Sequence, residues 1–157
     1  RFHTYLAEVR AAQVKWNLSP EAEQDMIQFL PVMQTDIFLR YQEKILIIDT
    51  KYYGQTMQRR YNKAALHSSN IYQIFTYVKN QDTVATGNVS GRRLYARTEE
   101  AVVPDCSFVM GGNRISVKTL DLNKEFSLIK AQLDQIAEEH FGKSAEIQCK
   151  LLPQRIK

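Results

Sequence analysis

The chain has 157 residues and a mass of 18.2 kDa; 44% of the residues are hydrophobic and 24% charged, which excludes a disordered tail or low-complexity scaffold and suits one domain with its own core. Lys and Arg outnumber Asp and Glu 21 to 17, giving a net charge of +4 and a pI near 9.1, a mild basicity that permits a nucleic-acid partner without demanding one. Cys106 and Cys149 form no C-x-x-C pair or Cys/His cluster, which argues against zinc and iron–sulfur sites; one disulfide between them stays open, beside the plainer expectation of two buried free thiols in a reducing cytoplasm. No apolar run nears the roughly 18 residues of a membrane span, no signal peptide is read in these residues, and the start at Arg1 without methionine leads to the expectation of a fragment.

Residues 9–16 read as a short strand and 17–28 as a loop or helical turn opening at Ser19-Pro20. From 31 to 40 the side chains alternate, with Met33, Thr35, Ile37 and Leu39 facing one way and Val32, Gln34, Asp36 and Phe38 the other. Within 44–53, the run Ile45-Leu46-Ile47-Ile48 predicts a central strand buried on both faces. Residues 62–79 predict a helix with Ala64, Ile71, Phe75 and Val78 on its apolar face. A polar loop over 81–91 precedes strands at 92–97, 108–110 and 114–120, the last two joined by a Gly111-Gly112-Asn113 hairpin turn. Asn123 is placed to cap a final helix whose stripe is Phe126, Ile129, Leu133, Ile136 and Ala137, and which stops at Gly142. The order strands, helix, strands, helix predicts a mixed α+β fold, a mixed sheet with helices packed on it.

The chemistry concentrates between Thr35-Asp36 and Ile48-Asp49-Thr50-Lys51. Asp49 and Lys51 point to one face of the strand and Thr50 to the other. A carboxylate and an ammonium at the edge of an apolar strand are costly unless paired or given a task. If the flanking strands fold back over a symmetric turn at Gln42-Glu43, Asp36 falls directly opposite Asp49, with Cβ atoms roughly 5 Å apart. Like charges so placed repel unless a cation lies between them. Carboxylate and main-chain oxygens suit Mg²⁺, which can activate water and neutralise charge developing on a phosphodiester. Lys51 would then orient the nucleophile or stabilise the phosphorane. An ion pair of Lys51 with Asp49 or Asp36, closing the sheet edge, is the competing reading and stays open at this point.

On the following helix Asn70, Gln73 and Tyr77 share a polar stripe that faces either solvent or a site. Arg59, Arg60 and Lys63, and later Arg92, Arg93 and Arg97, form loose basic groups of the kind that contact phosphate or meet solvent. His67 and His140 lack metal-ligand spacing and read as surface or packing residues. No glycine loop matches a Walker A or dinucleotide fingerprint, so any nucleotide-driven step must come from another chain.

The segments LPVMQTDIFLRYQEKILIIDTKYYG, SSNIYQIFTYVKN, GRRLYARTE and ISVKTLDLN together resemble the McrC nuclease subunits of McrBC-type methylation-dependent restriction systems, which belong to the PD-(D/E)XK nuclease superfamily. The resemblance implies a restriction-endonuclease-like fold, a mixed central sheet flanked by helices, forming a single nuclease domain over residues 1–157. It implies a DNA endonuclease dependent on Mg²⁺, with Mn²⁺ able to substitute. Asp36, preceded here by Thr35 rather than proline, takes the place of the PD aspartate; Asp49-Thr50-Lys51 matches (D/E)XK; and Gln73 to Tyr77 matches the Q-x-x-x-Y motif of the RecB-like branch. Asp36, Asp49 and the Thr50 carbonyl would bind the metal, Lys51 would assist catalysis, and Gln73 and Tyr77 would shape the site or contact DNA.

The implied partners are double-stranded DNA, a McrB-like AAA+ GTPase that reads 5-methylcytosine, and a second nuclease domain for double-strand cleavage. Two departures stand out. The acidic residue usual on a helix ahead of the first strand has only Glu8 as a poor substitute, and the N-terminal region that engages the GTPase is not expected within these residues. A RecB-like exonuclease and a non-catalytic module docking an AAA+ motor are the competing functions; the intact set Asp36, Asp49 and Lys51 argues against the second.

Overall fold

Four apolar residues in succession, Ile45 to Ile48, need cover on both sides, and the fold is built around supplying it. A computed structural model describes residues 8–52, 57–60, 63–97 and 103–142. In chain order the elements are β1 (Glu8–Arg10), β2 (Gln13–Val14), α1 (Gln24–Ile27), β3 (Met33–Gln34), β4 (Ile37–Tyr41), β5 (Lys44–Lys51), β6 (Met57–Arg60), β7 (Lys63–Leu66), α2 (Ser68–Gln81), β8 (Val89–Ala96), β9 (Cys106–Met110), β10 (Asn113–Leu120) and α3 (Phe126–Phe141). Six strands form one mixed sheet in the order β1-β4-β5-β8-β10-β9. The β5–β8 and β8–β10 pairs are parallel, and β1–β4, β4–β5 and β9–β10 are antiparallel. This is the restriction-endonuclease-like arrangement that the resemblance implies. No described helix is long and apolar enough to cross a membrane.

Strand alternation splits β5 between two cores. Ile45 and Ile47 pack with Ile74, Tyr77 and Val78 of α2, while Leu46 and Ile48 pack with Ile136, Ala137 and Phe141 of α3. Each such side chain contributes about 2 kcal/mol by leaving water. Gly91 on β8 sets how closely α2 approaches: a Cβ there would lie 2.7 Å from both Ile74 Cγ1 and Val78 Cγ2. The helix therefore rests on bare backbone, and its polar side chains come within reach of Arg93, two residues further along the same face of β8.

Several elements differ from the sequence-based expectation. The strand expected over 9–16 is divided into β1 and β2, and the alternation expected over 31–40 breaks at Thr35-Asp36. The Thr35 N–H donates to the Ala12 carbonyl at 2.8 Å, and its Oγ1 accepts from the Ala12 N–H at 3.1 Å. That clamp resets the parity, so Met33 and Phe38 enter the same core. The helix expected from residue 62 begins at Ser68, because 63–66 pair with 57–60 as a hairpin that includes Ala64. Its buried residues are Asn70, Ile74, Tyr77 and Val78, with Ile71 and Phe75 only partly covered.

The last helix is preceded by Glu125, not Asn123, in the capping position; the Asn123 N–H instead meets Asp121 Oδ1 at 3.1 Å. Only the C-terminal half of the expected stripe is buried, through Ile136 and Ala137, whereas Phe126 and Leu133 are exposed. Gly142, with φ of 90°, ends this helix as expected. Gly111 and Gly112, at φ of 55° and 85°, form the two-residue loop between β9 and β10, the conformation that favours glycine at both central positions.

Candidate active site

The β4–β5 hairpin turns through Gln42-Glu43, with Tyr41 opposite Lys44 and the register running to Ile37 opposite Ile48. One residue beyond this last pair lie Asp36, in a bend before β4, and Asp49 on β5. The exposed Asp36 carboxylate is turned onto β5: its Oδ2 accepts from the Thr50 N–H at 2.7 Å and from Thr50 Oγ1 at 2.8 Å. Asp36 thus supplies the acceptor that ends the antiparallel ladder.

Asp49 is 2% exposed and lies beside Arg93 in the parallel β5–β8 register. Its Oδ2 pairs with the Arg93 guanidinium and takes Lys51 Nζ at 2.9 Å. Arg93, 0% exposed, spends its remaining donors on α2: Nε donates to the Asn70 carbonyl at 2.7 Å and Nη2 to Gln73 Oε1 at 2.6 Å. Gln73 Nε2 in turn donates to Tyr77 Oη at 2.8 Å, and Asn70 Nδ2 to Tyr95 Oη at 2.9 Å. A planar guanidinium with five N–H donors serves three partners in one plane, which a lysine could not do. Burial draws the Arg93 pKa down to about 10, against the opposing pull of Tyr95 and Asp36, so it stays charged at neutral pH.

The structure brings together Asp36, Asp49, Thr50, Lys51, Gln73 and Tyr77. The Asp49–Lys51 ion pair of the competing reading is formed, and the Asp36 carboxylate bonds Thr50. The polar stripe of α2 faces inward to a site, not to solvent. Gln73 and Tyr77 reach Asp49 only through Arg93, which makes them positioning residues behind the carboxylate. Arg92 and Arg93 are not solvent-facing phosphate contacts, since both are buried on opposite faces of β8; Arg97 is half paired with Asp121 at 3.4 Å. Arg59, Arg60 and Lys63 belong to the β6–β7 hairpin, with Arg60 opposite Lys63, and their side chains lie outside the described residues, as does Cys149.

Arg93 is the site residue that sequence reasoning misplaced. The signal for it was present: a carboxylate on a doubly buried strand requires a cation from a neighbouring strand, and Gly91, Arg93 and Tyr95 share one face.

Asp36, Asp49 and the Thr50 carbonyl offer the hard oxygen donors that suit Mg²⁺, which binds through one or two carboxylates plus water and substrate phosphate. Among the described residues no group of three or more His, Cys, Asp or Glu side chains is gathered around a metal position. Two carboxylates and two cations, Lys51 and Arg93, cancel in charge, so an ion gains little until a further anion arrives. Lys51, with 27% of its side chain exposed, is the member free to follow a ligand at the open end.

No family model matches the chain. It is 32% identical over 134 residues, 85% of its length, to the type IV methyl-directed restriction enzyme EcoKMcrBC of Escherichia coli K12, and it spans 38% of that protein. By that identity over most of its length, and with a mixed sheet at its centre, the chain is McrC-like.

Proposed function

We propose that this chain is the cleaving domain of a methyl-directed restriction system, a DNA endonuclease of the PD-(D/E)XK type that uses Mg²⁺ or Mn²⁺. What supports the reading most is the β4–β5 register, which ends at Ile37 opposite Ile48, with Asp36 and Asp49 the next residues of the two segments and Lys51 paired to Asp49. The relative's description as a methyl-directed restriction enzyme supports the choice of substrate.

In this reading Asp36, Asp49 and the Thr50 carbonyl hold the metal, which when bound supplies charge neutralisation and a more acidic water. Arg93 offsets the charge of the Asp49 carboxylate and fixes its orientation. Gln73 and Tyr77 hold Arg93 from α2 and touch no DNA. Lys51 leaves Asp49 as the phosphodiester arrives, then holds the attacking water or the phosphate oxygens that gain charge. The cancelled charge of the four groups makes metal and DNA bind together more tightly than either alone. The 157 residues act as one nuclease domain, two of them cutting opposite strands of duplex DNA. The nucleotide-driven step falls to an AAA+ GTPase of McrB type, since no glycine loop in these residues matches a nucleotide-cradling fingerprint, and the same partner reads the methylated base, as the resemblance implies.

The test is cleavage of methylated supercoiled plasmid by this chain, in its full-length protein, with and without the GTPase partner and GTP. Linear product in Mg²⁺, lost in EDTA, is expected. No cleavage by the complete system, or digestion of linear DNA alone with supercoiled plasmid untouched, would overturn the reading.

A further inference from the structure

The carbonyl of Thr50 is one of the oxygens offered to a metal; its N–H and its hydroxyl meet a different partner. Strand alternation turns the Thr50 side chain to the face opposite Asp49 and Lys51, away from the buried network around Arg93. Both of its donors then converge on a single atom. The N–H reaches Asp36 Oδ2 at 2.7 Å, and Oγ1 donates to the same oxygen at 2.8 Å. Thr50 and Asp36 are both exposed, so water is a ready alternative for each, and burial does not force the pairing.

The two bonds leave the oxygens of Asp36 unequal. A carboxylate oxygen has two lone-pair sites, and those of Oδ2 are taken by the two Thr50 donors. Among the described residues no hydrogen bond reaches Oδ1. Rotation about Cβ–Cγ, which would exchange the oxygens, breaks both bonds, and hydrogen bonds to an ionised acceptor are roughly twice as strong as neutral ones. The clamped carboxylate still acts on the charge of Arg93, which places it in the field of the site.

We propose that Thr50 is a positioning residue for the metal: its hydroxyl, with its N–H, holds Asp36 so that Oδ1 alone is presented to the ion. This rests on the reading of Asp36 and Asp49 as metal ligands. Mg²⁺ demands near-ideal octahedral geometry and keeps several of its waters, so a carboxylate that offers one oxygen from a fixed position suits it. A ligand already held in place also gives up less freedom when the ion arrives. The middle residue of the D-x-K triplet is therefore constrained by chemistry. Serine can supply the hydroxyl, whereas valine, of the same branched shape, cannot.

The experiment is a Mn²⁺ titration of the full-length protein without its GTPase, with the free ion read by electron paramagnetic resonance. A short duplex is present throughout, and a duplex-only blank is subtracted. The proteins are the unmodified one, Thr50→Val, Thr50→Ser and Asp36→Asn. Affinity for Mn²⁺ is expected to fall about three- to tenfold in Thr50→Val, the scale of one hydrogen bond to a charged group at an exposed position. It should return close to the unmodified value in Thr50→Ser and fall further in Asp36→Asn. Unchanged affinity in Thr50→Val, with Asp36→Asn weakened, would overturn the proposal while the metal reading stands. So would an equal loss in Thr50→Ser, or tighter binding in Thr50→Val, which would make the bond a latch that the ion has to break. Unchanged affinity in Asp36→Asn would overturn the metal reading and the proposal with it.

Discussion

Replacing Arg93 by methionine keeps most of the buried volume and removes the charge, and the consequences follow from its partners. Asp49, 2% exposed, would retain only Lys51, while the Asn70 carbonyl and Gln73 Oε1 would lose donors at 2.7 and 2.6 Å. Removing one member of a buried ion pair costs about 3–5 kcal/mol, because the charge left behind stays desolvated. Against a total stability of about 5–15 kcal/mol, Arg93→Met should lower the urea midpoint severely. Asp49→Asn removes the stranded charge, so the double variant Asp49→Asn/Arg93→Met should be more stable than the sum of the two single losses implies, with a coupling of about 1–3 kcal/mol. Urea unfolding of the four proteins at pH 7 gives all the terms. If Arg93→Met cost less than about 1 kcal/mol, as a solvent-facing arginine would, or if the two losses simply added, Arg93 would not be the clamp on Asp49.

Gly91→Ala places a Cβ 2.7 Å from Ile74 and Val78, and α2 must lift from the sheet at a cost of about 1–3 kcal/mol, read from thermal unfolding; an unchanged Tm would contradict the close approach. Burial raises the Asp82 pKa, but hydrogen bonds from Asn113, Thr86 and Gly87 outweigh it and bring the carboxyl from 3.8 to about 2. Its folded pKa lies below the unfolded one, so its stabilisation is complete above pH 3.8 and is lost as pH falls through about 2; Asp82→Asn should flatten the stability profile in that window, and parallel profiles would refute the assignment. The isolated chain, with its charge of +4, should bind duplex DNA weakly, with affinity falling steeply with salt and no preference for methylated DNA; tight methyl-selective binding would move the reader into this chain.

The hairpin that builds the site was legible because its signals are local. Ile45 to Ile48 announce a doubly buried strand, and the turn at Gln42-Glu43 fixes the register even though Gln42 adopts a φ of 52° that a glycine would favour. The break at Thr35 was hidden because the residue that causes it, Ala12, is 23 positions away in sequence. The start of α2 was misplaced because Ala64 and Ala65 suit a helix until the pairing of 63–66 with 57–60 overrides propensity. The two arginines of β8 look alike in sequence; which faces Asp49 and which faces α3 follows from a parallel pairing that no local pattern encodes. The exposed start of α3, with Phe126 and Leu133 uncovered, shows the limit of helical periodicity: it marks a face without supplying the surface that buries it.

Lys51 offers the sharpest separation between a catalytic centre and an ion pair that merely closes a sheet edge. Its side chain is 27% exposed, and Asp49 keeps Arg93 when it is removed, so Lys51→Ala should fold with little loss of stability. Under the proposed function, plasmid cleavage by the full-length protein assembled with a McrB-type GTPase, Mg²⁺ and GTP should then fall by roughly a hundredfold or more, the scale on which one group stabilising transition-state charge is felt. A folded Lys51→Ala protein that cuts methylated plasmid at a rate near that of the unmodified chain would contradict the assignment of this site.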